Sequence, residues 1–301
     1  MAERIIPIQI EGENEQKEND GINGDDQTAS KTLESSSIKP DKPNIQIRRT
    51  LKKSQQEEKL QEFDLFEKCC KINLPNANVQ EKIILVIDRA QDENPTPFKA
   101  KNQTLSPLSM LRRALHIFLE LKHDINSNHE FALMTLNENG TSWVTDFSSD
   151  IKKLHNAIDQ ISGCEVEDTF SLDGLFEQIF EKATVCAPKE DEKPNFVVRT
   201  IVCWGRSYTL PHIEEAESFS KLLKNPYFIC DILITHEPVD PGNHSEKIIN
   251  ILINLIQDIG HKSSYFFPVG RDTARLHLCM ARLLGHPSQR PAQKLVSKPE
   301  L

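Results

Sequence analysis

The chain has 301 residues, a formal net charge of -9 and 27% charged residues. This acidity argues against a protein that binds nucleic acid through a broad basic face, because phosphate contacts require clustered lysine and arginine. No run approaches the ~18 apolar residues of a transmembrane helix, so we expect no contact with a membrane. The seven cysteines form no CxxC pair, and the first residues lack the pattern of a secretory signal, which predicts reduced thiols.

Residues 1–78 are predicted to be an acidic, disordered region. The segment Glu11–Glu34 holds eight acidic residues and two lysines among polar residues, which is too little apolar surface to offset the entropy of ordering. The basic run Arg48–Lys53 is either a nuclear import signal or ordinary solvated charge. Further on, Glu58–Cys70 has the apolar spacing of a short amphipathic helix, which would dock on the main domain or on a partner.

A domain over residues 79–285 is predicted from alternating strand and helix patterns. The apolar, β-branched run Lys82–Asp88 is typical of a central strand buried on both faces. The strands His129–Asn137 and Thr141–Phe147 form a hairpin around Gly140. The remaining predicted strands are Phe196–Trp204, Tyr227–Thr235 and Ser264–Val269, and the predicted helices are Leu108–Ile125, Ser148–Ile161 (capped by Ser148), Phe170–Ala183, Glu214–Leu223, Ser245–Ile259 and Asp272–Leu284.

This order predicts an α/β fold with a doubly wound, mainly parallel sheet, one antiparallel edge strand and helices on both faces. One helix is unusual, because the apolar residues of Ser245–Ile259 cover more than a ~100° stripe. It is either wedged between neighbours on the sheet or partly covered by another subunit.

The first loop has the order of a metal site but not its residues. A strand that ends in an acidic residue, a hairpin and a later threonine-bearing loop resemble the von Willebrand factor A domain, in which many members hold Mg²⁺ with D-x-S-x-S, a threonine and a second aspartate. Mapped onto this chain, Asp88 and Thr169 match, whereas Ala90 and Asp92 stand in place of the serines. A methyl group cannot coordinate a cation.

The last ligand of that pattern is also replaced. Gly205 and Arg206 follow the strand Phe196–Trp204 where the second aspartate is expected. A guanidinium at this point repels a metal and can itself neutralise Asp88. We therefore expect a degenerate site, Asp88 and Thr169, that binds no metal.

No catalytic constellation is apparent in the sequence. It contains no GxGxxG, Walker-type GK[ST], HxH or G-x-S-x-G motif. Cys203 and Cys230 lie inside apolar strands, where a thiol usually behaves as a small hydrophobe. We expect no catalytic residue, no cofactor and no enzymatic activity.

The end of the chain is the best candidate for a binding site. The helix Asp272–Leu284 stops at Gly285, and the following His286, Pro287, Ser288, Gln289, Arg290 and Pro291 read HPSQRP. Two prolines four apart favour an extended, polyproline-like strand that loses little entropy on docking. We expect residues 286–301 to be a proline-containing peptide that binds a partner.

Several segments together closely resemble one family. They are VIDRAQDENP, HEFALMTLNENGTSWVTDF, DTFSLDGLFEQI, PNFVVRTIVCWGRS, NPYFICDILITH and LHLCMARLLGHPSQRP. They resemble the Merit/Babam-type adaptor subunits of the BRISC and BRCA-A (ARISC) deubiquitinase complexes, over about residues 79 to 293. The resemblance implies a von Willebrand A-like fold without catalysis.

The resemblance also implies partners and processes. The direct partner of such adaptors is the BRE subunit, built from ubiquitin-conjugating-enzyme-variant (UEV) domains, and His286–Pro291 would plug into it. The same complex contains a JAMM zinc metalloprotease, which cleaves lysine-sixty-three-linked polyubiquitin, and an Abraxas-type scaffold. The implied location is cytoplasmic and nuclear, with roles in the DNA damage response and mitosis. The alternative from the residues alone is a metal-dependent von Willebrand A ligand-binding module.

Overall fold

The computed structural model describes residues 79–100, 103–185, 194–214, 217–258, 263–291 and 293. The predicted disordered region 1–78, with its basic run and its amphipathic helix, lies outside these residues. So do most residues of the predicted C-terminal peptide beyond Pro291.

A six-stranded sheet forms the centre of the domain. Its strand order is β10-β9-β7-β1-β4-β5, with β4 and β5 antiparallel and the other neighbours parallel. The strands are β1 Gln80–Asp88, β4 Glu130–Leu136, β5 Thr141–Ser148, β7 Phe196–Trp204, β9 Phe228–Ile234 and β10 Phe266–Pro268. The predicted mainly parallel sheet with one antiparallel edge strand is therefore confirmed.

Helices cover both faces of the sheet, as predicted. They are α1 Pro107–Ile125, α2 Ile151–Asp159, α3 Asp173–Lys182, α4 Glu217–Lys224, α5 Ser245–Asp258 and α6 Thr273–Leu283. The start of α1 illustrates the local signals: Ser106 caps it by accepting from the Ser109 N–H, and Pro107 occupies the first turn, where no N–H is needed. Within the described residues, no helix has the length and apolar character needed to cross a bilayer.

The period of two along each strand divides the core into two apolar layers. One layer joins Ile83, Leu85 and Ile87 of β1 to helices α1, α2 and α6. The other joins Ile84 and Val86 to helices α3, α4 and α5. In α5, Ile248, Ile249 and Leu252 are buried against the sheet, whereas Ile251 is 38% exposed. Among the side chains of α5 that the structure describes, most apolar ones are thus packed inside the domain.

Two local predictions are wrong. Phe170 and Ser171 do not begin a helix; they belong to a short strand, β6 Thr169–Ser171, which pairs in parallel with β8 Leu210–His212. The helix starts later because the Ser171 hydroxyl accepts from the Asp173 N–H. Likewise, Ser148 ends β5, and Asp150 caps α2.

A second small ribbon was also missed. The strands β2 Phe98–Ala100 and β3 Gln103–Leu105 pair in antiparallel fashion between β1 and α1. Strands of three residues give too short an alternation to be recognised in a sequence.

Candidate functional site

Asp88 and Arg206 form a buried ion pair where β1 and β7 end. Arg206 Nη2 lies 2.7 Å from Asp88 Oδ1, Arg206 Nε lies 3.0 Å from Oδ2, and both side chains are 0% exposed. The Ala90 N–H donates to Oδ1 at 3.0 Å and the Gly205 N–H donates to Oδ2 at 2.9 Å. Both carboxylate oxygens are therefore engaged by the protein itself, and the predicted pairing is confirmed.

Aromatic rings and a carbonyl hold the Arg206 guanidinium in place. Its central carbon lies 4.3 Å from the centre of the Phe170 ring and 5.4 Å from that of Trp204. Nη2 also donates to the Asn137 carbonyl at 2.8 Å. Such contacts favour a desolvated guanidinium. Strand β6, which was predicted to be the start of a helix, thus has a role here, because it places the Phe170 ring over Arg206.

The residues at this edge of the sheet do not fit a divalent cation. Both oxygens of Asp88 already accept hydrogen bonds from Arg206 and from loop N–H groups, and Ala90 offers only a methyl group. Thr169 lies in β6, exposed and paired with Leu210. Across the described residues, no group of three or more His, Cys, Asp or Glu side chains is placed to hold a metal. The arrangement of Asp88 and Arg206 is structural.

Asp92 lies beside this ion pair in a different state. It is 6% exposed, and its only described hydrogen bond is a long one of 3.5 Å from the Ser207 N–H to Oδ1. Oδ2 is buried without a partner among the described residues. A cavity of about 20 Å³, room for one water, is lined here by Asp88, Asp92 and Arg271. Burial raises the pKa of Asp92 to about 6.

Replacing Asp92 with asparagine should therefore stabilise the protein at pH 7.5, by about 1–2 kcal/mol. The folded carboxyl has a pKa of about 6 against an ordinary value of 3.8, so its charge costs stability above pH 6. The gain should shrink as pH falls through 6 and vanish below about 4. Urea unfolding at several pH values measures it.

The matched control is Asp88→Asn, which should destabilise at pH 7.5 because it removes the counter-charge of Arg206. If Asp92→Asn destabilised the protein at pH 7.5, this would contradict the conclusion that the buried charge of Asp92 lowers stability.

The C-terminal segment does not have the predicted conformation. His286 and Arg290 have polyproline-like dihedral angles, but Pro287–Gln289 between them form a single 3₁₀ turn. His286 caps this turn, since its Nδ1 accepts from the Ser288 N–H. The segment folds back on the domain because its polar side chains form hydrogen bonds there. The spacing of the prolines alone does not predict these bonds.

Arg290 is the main anchor of the segment. Its side chain is 3% exposed, and its two terminal nitrogens donate to the two oxygens of Asp231 at 3.0 and 3.1 Å. The guanidinium stacks on the Tyr265 ring at 4.3 Å, and the Tyr265 hydroxyl donates to the Pro291 carbonyl at 2.9 Å. Further on, the Gln293 side chain accepts from the Phe266 N–H of β10 at 2.8 Å. Pro291 and Gln293 thus lie beside β10, the edge strand of the sheet.

A buried network of charges lies behind this anchor. Arg199 of β7, 0% exposed, donates to Asp231 at 2.8 Å and to Glu81 at 3.0 Å. Lys122 of α1 lies 2.5 Å from Glu81 and donates to the Leu284 carbonyl at 2.9 Å. The three cations outnumber the two carboxylates, but carbonyls at the C-terminal end of α6 complement the extra charge.

The ionisation of the network follows from these contacts. Burial alone would raise the pKa of Asp231, but Arg290 and Arg199 outweigh it and hold that pKa below its ordinary value. Burial likewise opposes the charge of Glu81, yet Arg199 and Lys122 keep its pKa low. For His286, burial dominates and lowers the pKa, which favours the neutral ring. Both carboxylates of the network are therefore charged at neutral pH, and the histidine at its edge is neutral.

Comparisons with known proteins identify relatives of this chain. It is 28% identical over 231 residues to the human protein named BRISC and BRCA1-A complex member 1, covering 75% of this chain and 70% of that protein. The Mus musculus protein of that name is 28% identical over 227 residues, covering 74% of this chain and 68% of that protein. The chain is related to BRISC and BRCA1-A complex member 1. No family model matches it.

Solved structures give weaker likenesses. The SpRpn10 VWA domain has a TM-score of 0.44 and 16% identity, covering 69% of this chain and 97% of that one. The PilB minor pilin from Streptococcus sanguinis has a TM-score of 0.48 and 10% identity, covering 74% and 64%. The von Willebrand A-like fold class rests on the strand order and the single antiparallel edge strand described above.

Sequence reasoning singled out the C-terminal segment but missed the residues that anchor it to the domain. Arg199 and Asp231 interrupt the apolar strands FVVRTIVCW and FICDILI, and a charge inside a buried strand requires a partner. That signal was available in the sequence. The identity of the partners was not, because it depends on which strands lie side by side.

Proposed function

We propose that this chain is a non-catalytic adaptor subunit of a deubiquitinase complex of the BRISC and BRCA1-A type. The observation that carries the proposal is the 28% identity, over 231 residues, to a protein named as a member of those two complexes. The closed ion pair of Asp88 and Arg206 agrees with it, since a ligand-binding module that depends on a metal at the strand ends would need that carboxylate free.

The resemblance supplies the finer parts of the proposal. The direct partner is the UEV-domain BRE subunit, bound through His286–Pro291. The JAMM zinc metalloprotease, which cleaves lysine-sixty-three-linked polyubiquitin, and the Abraxas-type scaffold belong to the same complex and are reached indirectly. The adaptor works in the cytoplasm and the nucleus, in the DNA damage response and in mitosis.

The residues of the C-terminal segment differ in burial, and this difference indicates which of them stabilise the fold and which face a partner. His286, Pro287 and the side chain of Arg290 face the domain and are buried, whereas Gln289 and Pro291 are exposed. The buried residues fix the backbone, and the exposed surface of the segment can face a partner. A segment that is already ordered loses little entropy on binding, which favours affinity.

Replacing Gln289 with arginine and Pro291 with glutamate, together, should weaken binding of the BRE subunit at least tenfold, or about 1.4 kcal/mol. Both side chains are exposed, and the melting temperature of the variant checks that the domain keeps its fold. Calorimetric titration of the purified chain with the BRE subunit measures the affinity. Point changes are preferable to truncation, because removing Arg290 also removes an anchor of the fold.

The matched control is Lys153→Glu, an equally exposed charge change on α2, which should leave affinity unchanged. Unaltered binding by the double variant would place the interface elsewhere and defeat the assignment of the segment. Hydrolysis of polyubiquitin by the purified chain alone would defeat the adaptor proposal itself.

A further inference from the structure

The outer face of α1 carries an apolar stripe that the domain does not cover. Ile117, Leu121 and Ile125 follow one another at intervals of four, so they lie on one side of the helix. Their exposed fractions are 44%, 45% and 59%, although the opposite side of α1 is packed in the core. On α6, a helix that packs against α1, Leu278 is also 54% exposed. Apolar side chains repeated along one side of a helix indicate a surface that another segment covers.

The chain enters the domain next to one end of this stripe. The Gln80 side chain donates to the Asn128 carbonyl at 2.7 Å, and the Glu81 N–H donates to His129 Nδ1 at 2.9 Å. Asn128 and His129 belong to the short turn that follows Ile125. The residues that precede Val79 therefore start from a point close to the exposed end of α1.

The preceding sequence contains a segment that matches the stripe in pattern and length. Within Glu58–Cys70, the residues Leu60, Phe63, Phe66 and Cys70 recur at helical spacing. A helix of these 13 residues would be about 20 Å long, and the stripe spans about 12 Å. The connection from Cys70 to Val79 can reach about 30 Å, which is ample.

The charges are complementary as well. The segment Glu58–Cys70 holds four acidic residues and two lysines, whereas α6, which lies beside α1, holds Arg275 and Arg282 and no acidic residue. Opposite net charges favour and orient the approach of the two surfaces.

We propose that Glu58–Cys70 forms an amphipathic helix that covers the α1 stripe of the same chain. Phe63 and Phe66 would lie on Leu121 and its neighbours, with the acidic residues directed towards α6. In this arrangement the segment is part of the domain surface. The proposal does not depend on the adaptor function.

Photo-crosslinking in the full-length chain tests the proposal. Benzoylphenylalanine at position 121 should form an intramolecular crosslink to residues within 58–70, located by mass spectrometry. The same probe at position 180 on α3, where Phe180 is 44% exposed on the other face of the sheet, should not reach them. Neither position is buried, so the domain should fold with the probe in place.

Variants of the segment separate its two faces. Phe63→Asp with Phe66→Asp should abolish the crosslink, whereas Gln61→Asp with Lys68→Asp, on the opposite side of the same predicted helix, should retain it. A crosslink between two copies, detected by mixing light and isotope-labelled protein, would overturn the proposal. The proposal would also be overturned if the probe at position 121 formed no crosslink to residues 58–70, whether it reacted with another subunit of a purified complex or with nothing.

Discussion

Replacing Asp231 with alanine should lower the free energy of unfolding by about 3–5 kcal/mol. The change leaves two guanidinium groups, Arg199 and Arg290, facing each other in the interior without the carboxylate that both contact. A buried charge without a partner is among the most costly single defects in a folded protein. Urea unfolding at pH 7.5 measures the loss, provided that the free energy of unfolding depends on urea concentration with the same slope in the variant and the wild type.

The same variant should release the C-terminal segment. Arg290 is held through Asp231, so hydrogen exchange of residues 286–291 should accelerate more than that of β1. The control is Asp124→Ala on α1, which removes an exposed aspartate and should change stability by less than about 0.5 kcal/mol. Equal stability of Asp231→Ala and Asp124→Ala would show that the network adds nothing to the fold.

Acid should reduce the difference between wild type and Asp231→Ala. The folded pKa of Asp231 lies below its ordinary value of 3.8, because Arg290 and Arg199 favour the carboxylate. The stabilisation is therefore complete well above pH 3.8 and is lost as pH falls towards the folded pKa. A difference that stayed constant down to pH 2 would place the effect in packing rather than charge.

The architecture was predictable from sequence because its elements repeat a strong pattern. Apolar runs such as Lys82–Asp88 alternate with amphipathic helices, and the hairpin around Gly140 marks the antiparallel edge. The boundaries were less predictable where a polar residue serves two purposes. Ser148 and Ser171 both resemble helix caps in sequence, but each lies in a strand, and the cap or turn that it supports comes later.

The anchors of the C-terminal segment depend on contacts that no local pattern contains. In β1, β7 and β9, parallel pairing sets Glu81 opposite Val197, Arg199 opposite Ile229 and Asp231 opposite Ile201, so the three charges share one face of the sheet. A sequence predicts which residues of one strand share a face, but not that β9 lies beside β7. It therefore predicted an extended, polyproline-like strand, whereas the structure has an anchored 3₁₀ turn.

The strand-end site was more accessible to sequence reasoning. Comparing the first loop with the von Willebrand A pattern was enough to predict that Arg206 can neutralise Asp88, because the two residues follow neighbouring parallel strands whose carboxyl ends meet. The burial of Asp92 and the ring of Phe170 over Arg206 were not predictable. Both depend on the packing of loops whose conformation is fixed by small ribbons such as β6 and β8.

Replacing Arg206 with alanine should cost about 3–5 kcal/mol of stability, because Asp88 would be left charged and buried. The loss of the contacts with Phe170 and Trp204 adds to the penalty. Thermal or urea unfolding of the purified chain measures it, and Arg113→Ala, which removes an exposed arginine on α1, is the control.

A double-mutant cycle separates the ion pair from the packing of the arginine. If the pair is what matters, Asp88→Ala with Arg206→Ala should be less destabilised than the sum of the two single variants, with an interaction energy of about 1–3 kcal/mol. The carboxylate that makes Arg206→Ala costly is absent from the double variant. The loop N–H groups of Ala90 and Gly205 lose their acceptor whenever Asp88 is removed, so that cost appears in both Asp88 variants and cancels. Strict additivity would mean that Arg206 stabilises the loop through the aromatic rings and the Asn137 carbonyl, and that Asp88 is held by backbone amides alone.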